Sequence, residues 1–440
     1  MRQAGSPQPS ASTASHSLAG SSRRRKVALL AGLVLAASAL AACSSAAASG
    51  TVTLNFYLAP DTSGATTQEV AACSAQSHGK YTISYQQLPT GSDGQRQQLV
   101  RRLAAHDNTI DIMGLDVTWE AEFANAGWIL PWTGADKQQA EADTLQSMLQ
   151  TAIWKGKLYA APDNTNTQLL WYRSDLVPNP PTTWAQMIAD AQRLAKEGKP
   201  HLIEIQGAQY EGVTVWFNTM LATAGGSVLT PDASHVVLGQ PAITALSIMK
   251  QLATSVAADP SLDVQQENQN RIAMESGTAA FELNYPFVYP SMKMVNPKLF
   301  KVFRWAPYPG ISASQPAHVT IGGVDLAVSA YSQHPQLAFQ AALCLRDKAN
   351  QLIGATVGGE PPTIISLYSD PKMFPAYPFH ADILKALESA SVRPKSPVYQ
   401  VLSIDISNLI SPPAGISPAS TERRMVTALN NGLQSKGLIP

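Results

Sequence analysis

Six carboxylates, Asp116, Glu120, Glu122, Glu204, Glu211 and Glu282, are the residues most able to do chemistry in this chain. Two suitably placed carboxyl groups are all that hydrolysis of a glycosidic bond requires. Other catalytic signatures are absent. There is no GxxxxGK[ST] phosphate loop, so ATP hydrolysis by this chain is not expected, and there is neither a GxGxxG nor a GxSxG motif. The eight histidines are scattered singly, none at the i, i+4 spacing of a zinc-binding helix, and the cysteines are widely separated. No metal site and no cofactor are expected. Over 440 residues, 31 Lys and Arg balance 31 Asp and Glu. That balance argues against a nucleic-acid partner, which selects for a basic patch.

The elements that must position such residues follow from hydrophobic periodicity. Val52–Leu58, Tyr81–Leu88 and Thr109–Leu115 alternate as strands, with helical patterns at Thr66–Gln76 and Gln95–His106, where Arg101 and Arg102 face outward. Strand–helix–strand–helix–strand predicts a parallel sheet with ligands beyond the carboxyl ends of its strands. That rule points to the loop after Tyr57 and to Gly114–Asp116. A second α/β block follows. The strand Asn166–Tyr172 and the breaker Pro178–Pro181 precede a helix that Thr182 or Thr183 can cap. Val213–Ala224 is an apolar helix stopped by Gly225 and Gly226. Gly277–Leu283 and Val319–Val328 read as strands, and helices are expected near His380–Ala390, Val398–Leu409 and after Ser420.

The zero net charge hides an asymmetry. Residues 1–42 carry Arg2, Arg23, Arg24, Arg25 and Lys26 and no acid, leaving 26 basic against 31 acidic residues in the remainder. A basic cluster before the short apolar run Val27–Ala42 has the layout of a signal peptide. The run ends in Leu40-Ala41-Ala42-Cys43, which resembles the bacterial lipobox, so Cys43 is expected to be acylated and to anchor the exported protein to the outer face of the cytoplasmic membrane. The arginine run also resembles a twin-arginine signal. Cys73 and Cys344 then remain, and export makes a disulfide between them the expectation, two buried thiols being the alternative.

Three segments carry a resemblance to a known family. Leu158–Trp184 holds a Tyr-x-x-Pro hinge, an apolar strand ending in Tyr, and a proline-rich turn into a helix; Val215–Gly226 and Ser276–Pro286 follow in the same order. Together they resemble the carbohydrate-binding branch of the solute-binding proteins of ABC importers, the branch that includes maltose-binding protein. Leu115–Glu122, Thr165–Tyr172, Trp216–Gly226, Val319–Val328 and Val392–Gln400 are most similar to the actinobacterial trehalose-binding lipoproteins of the LpqY type, although the loop between Met292 and Ala306 is shorter than theirs. The resemblance implies a two-lobed α/β periplasmic-binding-protein fold of type II, each lobe a β-sheet flanked by helices, with ligand in the cleft. After the signal (1–42) and the acylated tether (43–50), the first lobe would comprise 51–163 and 284–345, and the second 164–283 and 346–440.

The implied ligand is a neutral disaccharide, trehalose favoured. Its hydroxyls need carboxylates, amides and a guanidinium in fixed directions, and its ring faces need aromatic cover. The resemblance assigns these roles to Asp116, Asn166, Glu282 and Arg393, to the aromatics Trp216, Tyr285 and Tyr57, and to the backbone at Gly323. Most have a structural alternative: a helix cap for Asp116, a turn for Asn166, a structural ion pair for Glu282, a solvated surface position for Arg393, core packing for Trp216 and Tyr285, a β-bulge for Gly323. The implied partners are two permease subunits and an ATPase, with the protein itself a non-catalytic monomer. Another α-glucoside, a peptide or a glycerophosphodiester as ligand, or a secreted glycoside hydrolase, are the competing readings.

Overall fold

The computed structural model of this chain describes residues 50–434; the leader and Cys43 lie outside them. The first alternating segments form a parallel ladder. β1 (Val52–Leu58) pairs with β2 (Tyr81–Gln87) and β3 (Ile112–Asp116), and the helices Ala65–Gln76 and Ser92–Ala104 make the crossovers. A short hairpin, β4 (Ile153–Trp154) with β5 (Lys157–Leu158), leads into β6 (Ala160–Asn166). The chain then builds a second sheet from β7 (Leu169–Arg173), β8 (Leu202–Glu204), β9 (Ala279–Asn284) and β10 (Phe303–Ala306), and β11 (Gly322–Val328) returns to the first.

The strand orders are β2-β1-β3-β11-β6 and β10-β7-β9-β8. The three strands expected to run parallel do so, and β11 joins them antiparallel to both β3 and β6. The cause is the route of the chain. β6 leaves the first sheet toward the second and β11 arrives from it, so β11 enters at the end where β3 and β6 finish.

Each sheet has its own apolar core. Leu54, Phe56 and Leu115 pack with Leu99, Leu103 and Ala341 in the first, and Leu170, Ile203 and Phe281 with Trp184, Phe217 and Leu402 in the second. Each such side chain contributes roughly 1.5–3 kcal/mol on burial. The stripe of the helix Trp184–Lys196 is buried as its spacing requires, and Thr183 caps it by accepting from Gln186 N at 3.2 Å. A third cluster, including Met148, Trp171, Phe303 and Phe379, fills the region where the connections cross.

Two expected boundaries shift. Phe303–Ala306 does not belong with the first lobe: it is a strand of the second sheet, Trp305 lying opposite Trp171. The segment after Arg346 is tied to the first lobe, since Arg346 Nε and Thr363 Oγ1 both donate to Pro162 O, at 3.1 and 3.0 Å. Cys73 and Cys344 form a disulfide with Cα atoms 5.8 Å apart. It joins Ala65–Gln76 to Pro335–Leu345, both packed on the first sheet.

Candidate functional site

The carboxyl ends of β3 and β6 and the start of β11 open onto one chamber of about 260 Å³. The first sheet contributes Asp116, Asn166 and Gly323 to it, and Glu211, Tyr285 and Arg393 close it from the other side. A second cavity of about 440 Å³ adjoins it, sharing Asp116, Tyr210 and Glu267.

Arg393 organises the chamber. It is 6 % exposed, and its Nη1 donates to Glu211 Oε1. Its Nη2 donates to Ile321 O at 3.4 Å and lies 3.5 Å from Asp116 Oδ1. Desolvation opposes its charge, but Asp116, Tyr399 and Glu211 around it raise its pKa overall. Its Nε is buried and has no protein acceptor. Glu211 sits in the first turn of the helix Glu211–Thr223, where the helix dipole favours an anion. It also accepts from Tyr399 Oη at 2.6 Å and from Ser403 Oγ. Burial pushes its pKa up against the pull of Arg393 and the two hydroxyls.

Asp116 ends β3 and accepts from Thr118 N and Oγ1 through Oδ1, at 3.0 and 2.7 Å. It is thus both a turn cap and a chamber wall. Asn166 ends β6, and its buried Oδ1 has no protein partner. Asn164 donates to Glu360 Oε2 at 3.0 Å, and burial, with the charge of Asp61, lifts the Glu360 carboxyl to about 7. Tyr285 follows β9; burial first and Glu267 second push its phenol up. Gly323 has φ +138°, and a Cβ there would stand 2.4 Å from Asn164 O. The ladder shifts register beside it, so the close approach is to the neighbouring strand, and glycine is required for the chamber floor to form.

Three expected residues lie elsewhere. Trp216 is 0 % exposed and stacks on Trp184 in the second core, rings 5.9 Å apart. One residue is 100° of helix, so Val215 faces the chamber and Trp216 the core. Tyr57 is buried with the Arg102 guanidinium 4.3 Å above its ring, and Leu58, next along the strand, lines the second cavity. Arg102 is accordingly not a free outward arginine. Glu282 is 0 % exposed in β9, opposite Glu204 of β8, and accepts from Asn284 Nδ2 at 2.7 Å. It points into the second lobe rather than the chamber, and Arg393 is not its partner. Burial lifts Glu282 to about 8 and Glu204 to about 9.

The two groups of lining residues, one from each lobe, describe a cleft of about 260 Å³ walled mostly by polar side chains. Residues 59–351 match the family model of bacterial extracellular solute-binding proteins. The chain belongs to that family. This solute-binding protein is 29 % identical over 328 residues to a probable ABC transporter-binding protein of Deinococcus radiodurans, covering 71 % of this chain and 76 % of that one. It is 23 % identical over 261 residues to the diacetylchitobiose-binding protein DasA of Streptomyces coelicolor, covering 57 % and 60 %. Among solved structures, maltose-bound MalE3 of T. maritima aligns with a TM-score of 0.77 at 24 % identity, over 88 % of this chain and 100 % of that one. The GacH receptor of Streptomyces glaucescens gives 0.75 at 22 % identity, over 87 % and 99 %. The two-lobed fold with helix-flanked sheets is shared with both. Membership implies export, and these relatives are binding proteins rather than enzymes.

The chamber of this solute-binding protein is also lined by residues that motif reading passes over. By type alone Glu211 reads only as a hydrolytic carboxylate, and Glu360, Asn164 and Tyr210 carry no local signal. Glu211 and Glu267 do open helices, and an acidic residue in a first turn beside the cleft is the sign that would have marked them.

Proposed function

We propose that this protein is the extracytoplasmic lipoprotein, anchored through Cys43, that captures a neutral disaccharide for an ABC importer and hands it to two permease subunits and an ATPase. Trehalose is the favoured ligand, on the strength of the sequence segments similar to trehalose-binding lipoproteins. The observation that carries the reading is the chamber itself. Asp116, Asn166, Glu211 and Arg393 converge on it from both lobes, and Asn166 Oδ1 and Arg393 Nε are a buried acceptor and a buried donor that hydroxyls can satisfy. Tyr285 supplies the aromatic wall. Diacetylchitobiose, maltose and acarbose, named for the relatives, are all polyhydroxylated, which supports the same ligand class here. Calorimetric titration with trehalose, maltose and glucose tests it. Trehalose is expected to bind in the micromolar range; if no α-glucoside binds more tightly than about 1 mM, the reading fails.

A further inference from the structure

Among the contacts between the lobes outside the chamber, several polar ones come from one short segment. Residues 393–400 precede and open the helix Tyr399–Ile410, whose Leu402 and Ile406 are buried in the second core. From this segment three side chains reach three different elements of the first lobe. Arg393 faces Asp116 at the end of β3. Lys395 Nζ donates to Gln150 O at 2.8 Å and to Ile153 O at 3.4 Å, at the carboxyl end of the helix Gln146–Ala152. Gln400 Nε2 donates to Asp93 Oδ1 at 2.9 Å, in the first turn of Ser92–Ala104. Pro394 and Pro397 fix the backbone between them.

Neither Lys395 nor Gln400 lines the 260 Å³ chamber. Their contacts are protein to protein and need no ligand. Lys395 meets carbonyls that a helix terminus leaves without intrahelical donors, where the dipole also favours a cation. Burial lowers its pKa, with the nearby Glu120 acting in the opposite direction. Gln400 is 8 % exposed, so its amide depends on Asp93 as a partner.

We propose that 393–400 is a strap that closes the lobes on its own account, with Lys395 and Gln400 as positioning residues that hold a closed population before ligand arrives. The strap rests on the two-lobed fold; only its effect on affinity rests on the proposed ligand. Affinity scales with the fraction of protein in the binding-competent form, and each clasp is worth roughly a three- to tenfold shift in that fraction.

The test is hydrogen–deuterium exchange of the full chain without ligand, followed by titration with trehalose. In Lys395→Met and Gln400→Ala the cleft segments around 92–95 and 211–216 should lose protection three- to tenfold, while core strands such as Leu170–Tyr172 keep theirs. Affinity should fall by the same factor. Asp93→Ala should reproduce Gln400→Ala, the double variant should add nothing, and Lys395→Arg should restore protection. Unchanged ligand-free protection, whether or not affinity falls, overturns the strap. If the variants lose protection yet no sugar binds even the parent protein, the strap stands and the ligand assignment is the part that fails.

Discussion

Glu282→Gln separates a carboxylate that touches ligand from one that is merely buried. Glu282 has no solvent exposure, one protein donor in Asn284, and an oxygen with none. Its pKa rises from 4.5 to about 8, burial being the main cause. A carboxyl with a raised folded-state pKa gives its full stability below the unfolded value, and that stability is lost as pH climbs through the folded value. The window for Glu282 is therefore about pH 4.5 to 8. Between pH 5 and pH 8 the shift amounts to about 3 kcal/mol at 1.36 kcal/mol per unit. Glutamine keeps the acceptor for Asn284 and cannot ionise. Urea unfolding at the two pH values should thus show the parent losing about 3 kcal/mol more than the variant, with Glu204 supplying a further slope to both. Trehalose affinity at pH 5 should be unchanged. An equal pH loss in both proteins would refute the burial argument, and a fall in affinity of more than about tenfold, near 1.4 kcal/mol, would put Glu282 back in the site.

Arg393→Met should weaken sugar binding by ~1–3 kcal/mol, because it removes a buried donor and strands Glu211. Its stability cost should be greater at pH 8 than at pH 5, since loss of the guanidinium raises the Glu211 pKa further and the raised group loses stability as pH increases; a pH-independent cost in urea melts would count against the pairing. Gly323→Ala should destabilise the protein by about 3 kcal/mol, from a left-handed backbone and a Cβ 2.4 Å from Asn164 O. It should also lower affinity by moving Asn164 and Asn166, and calorimetry showing parental affinity would remove the glycine from the chamber floor.

The periodicity of the sequence was enough for the helices and most strands, because each element buries one face and repeats at its own period. The helix Trp184–Lys196 and its Thr183 cap are legible residue by residue. Phase is where local reading fails. Trp216 looked like a platform, but the face of an almost wholly buried helix cannot be chosen from apolar residues that surround it, and Val215 points to the chamber instead. Tyr57 and Leu58 differ by the single step that reverses a strand's faces. Glu282 lies on the expected strand, but its side chain is buried beside Glu204, for the same reason. β10 has no signal of its own, because four residues between a short helix and Pro307 become a strand only by pairing with β7. Glu267 and Glu360 come from the start of a helix and from a loop, and only tertiary folding brings them to Asp116.

The charge of the chamber bears on which solute it takes. Asp116, Glu211, Glu267 and Glu360 line it, and Arg393 is the single cation among its lining residues. That cation already faces Glu211 and Asp116. A phosphodiester or a peptide carboxylate entering here would meet carboxylates with no spare positive charge, in a region where burial already pushes Glu211, Glu267 and Glu360 toward their neutral forms. Anion binding would deepen that penalty. A polyhydroxylated neutral molecule does the reverse: its hydroxyls donate to the carboxylates and favour their ionised forms, while Arg393 Nε and Asn166 gain the partners they lack. The same argument gives a sign for pH. Sugar binding that stabilises ionised Glu211 and Glu360 must release protons near pH 7, where Glu360 is about half protonated. Affinity should therefore rise from pH 6 to pH 8, and calorimetry in buffers of different ionisation enthalpy should detect the released proton; proton uptake on binding would mean that the carboxylates serve the ligand in their neutral state.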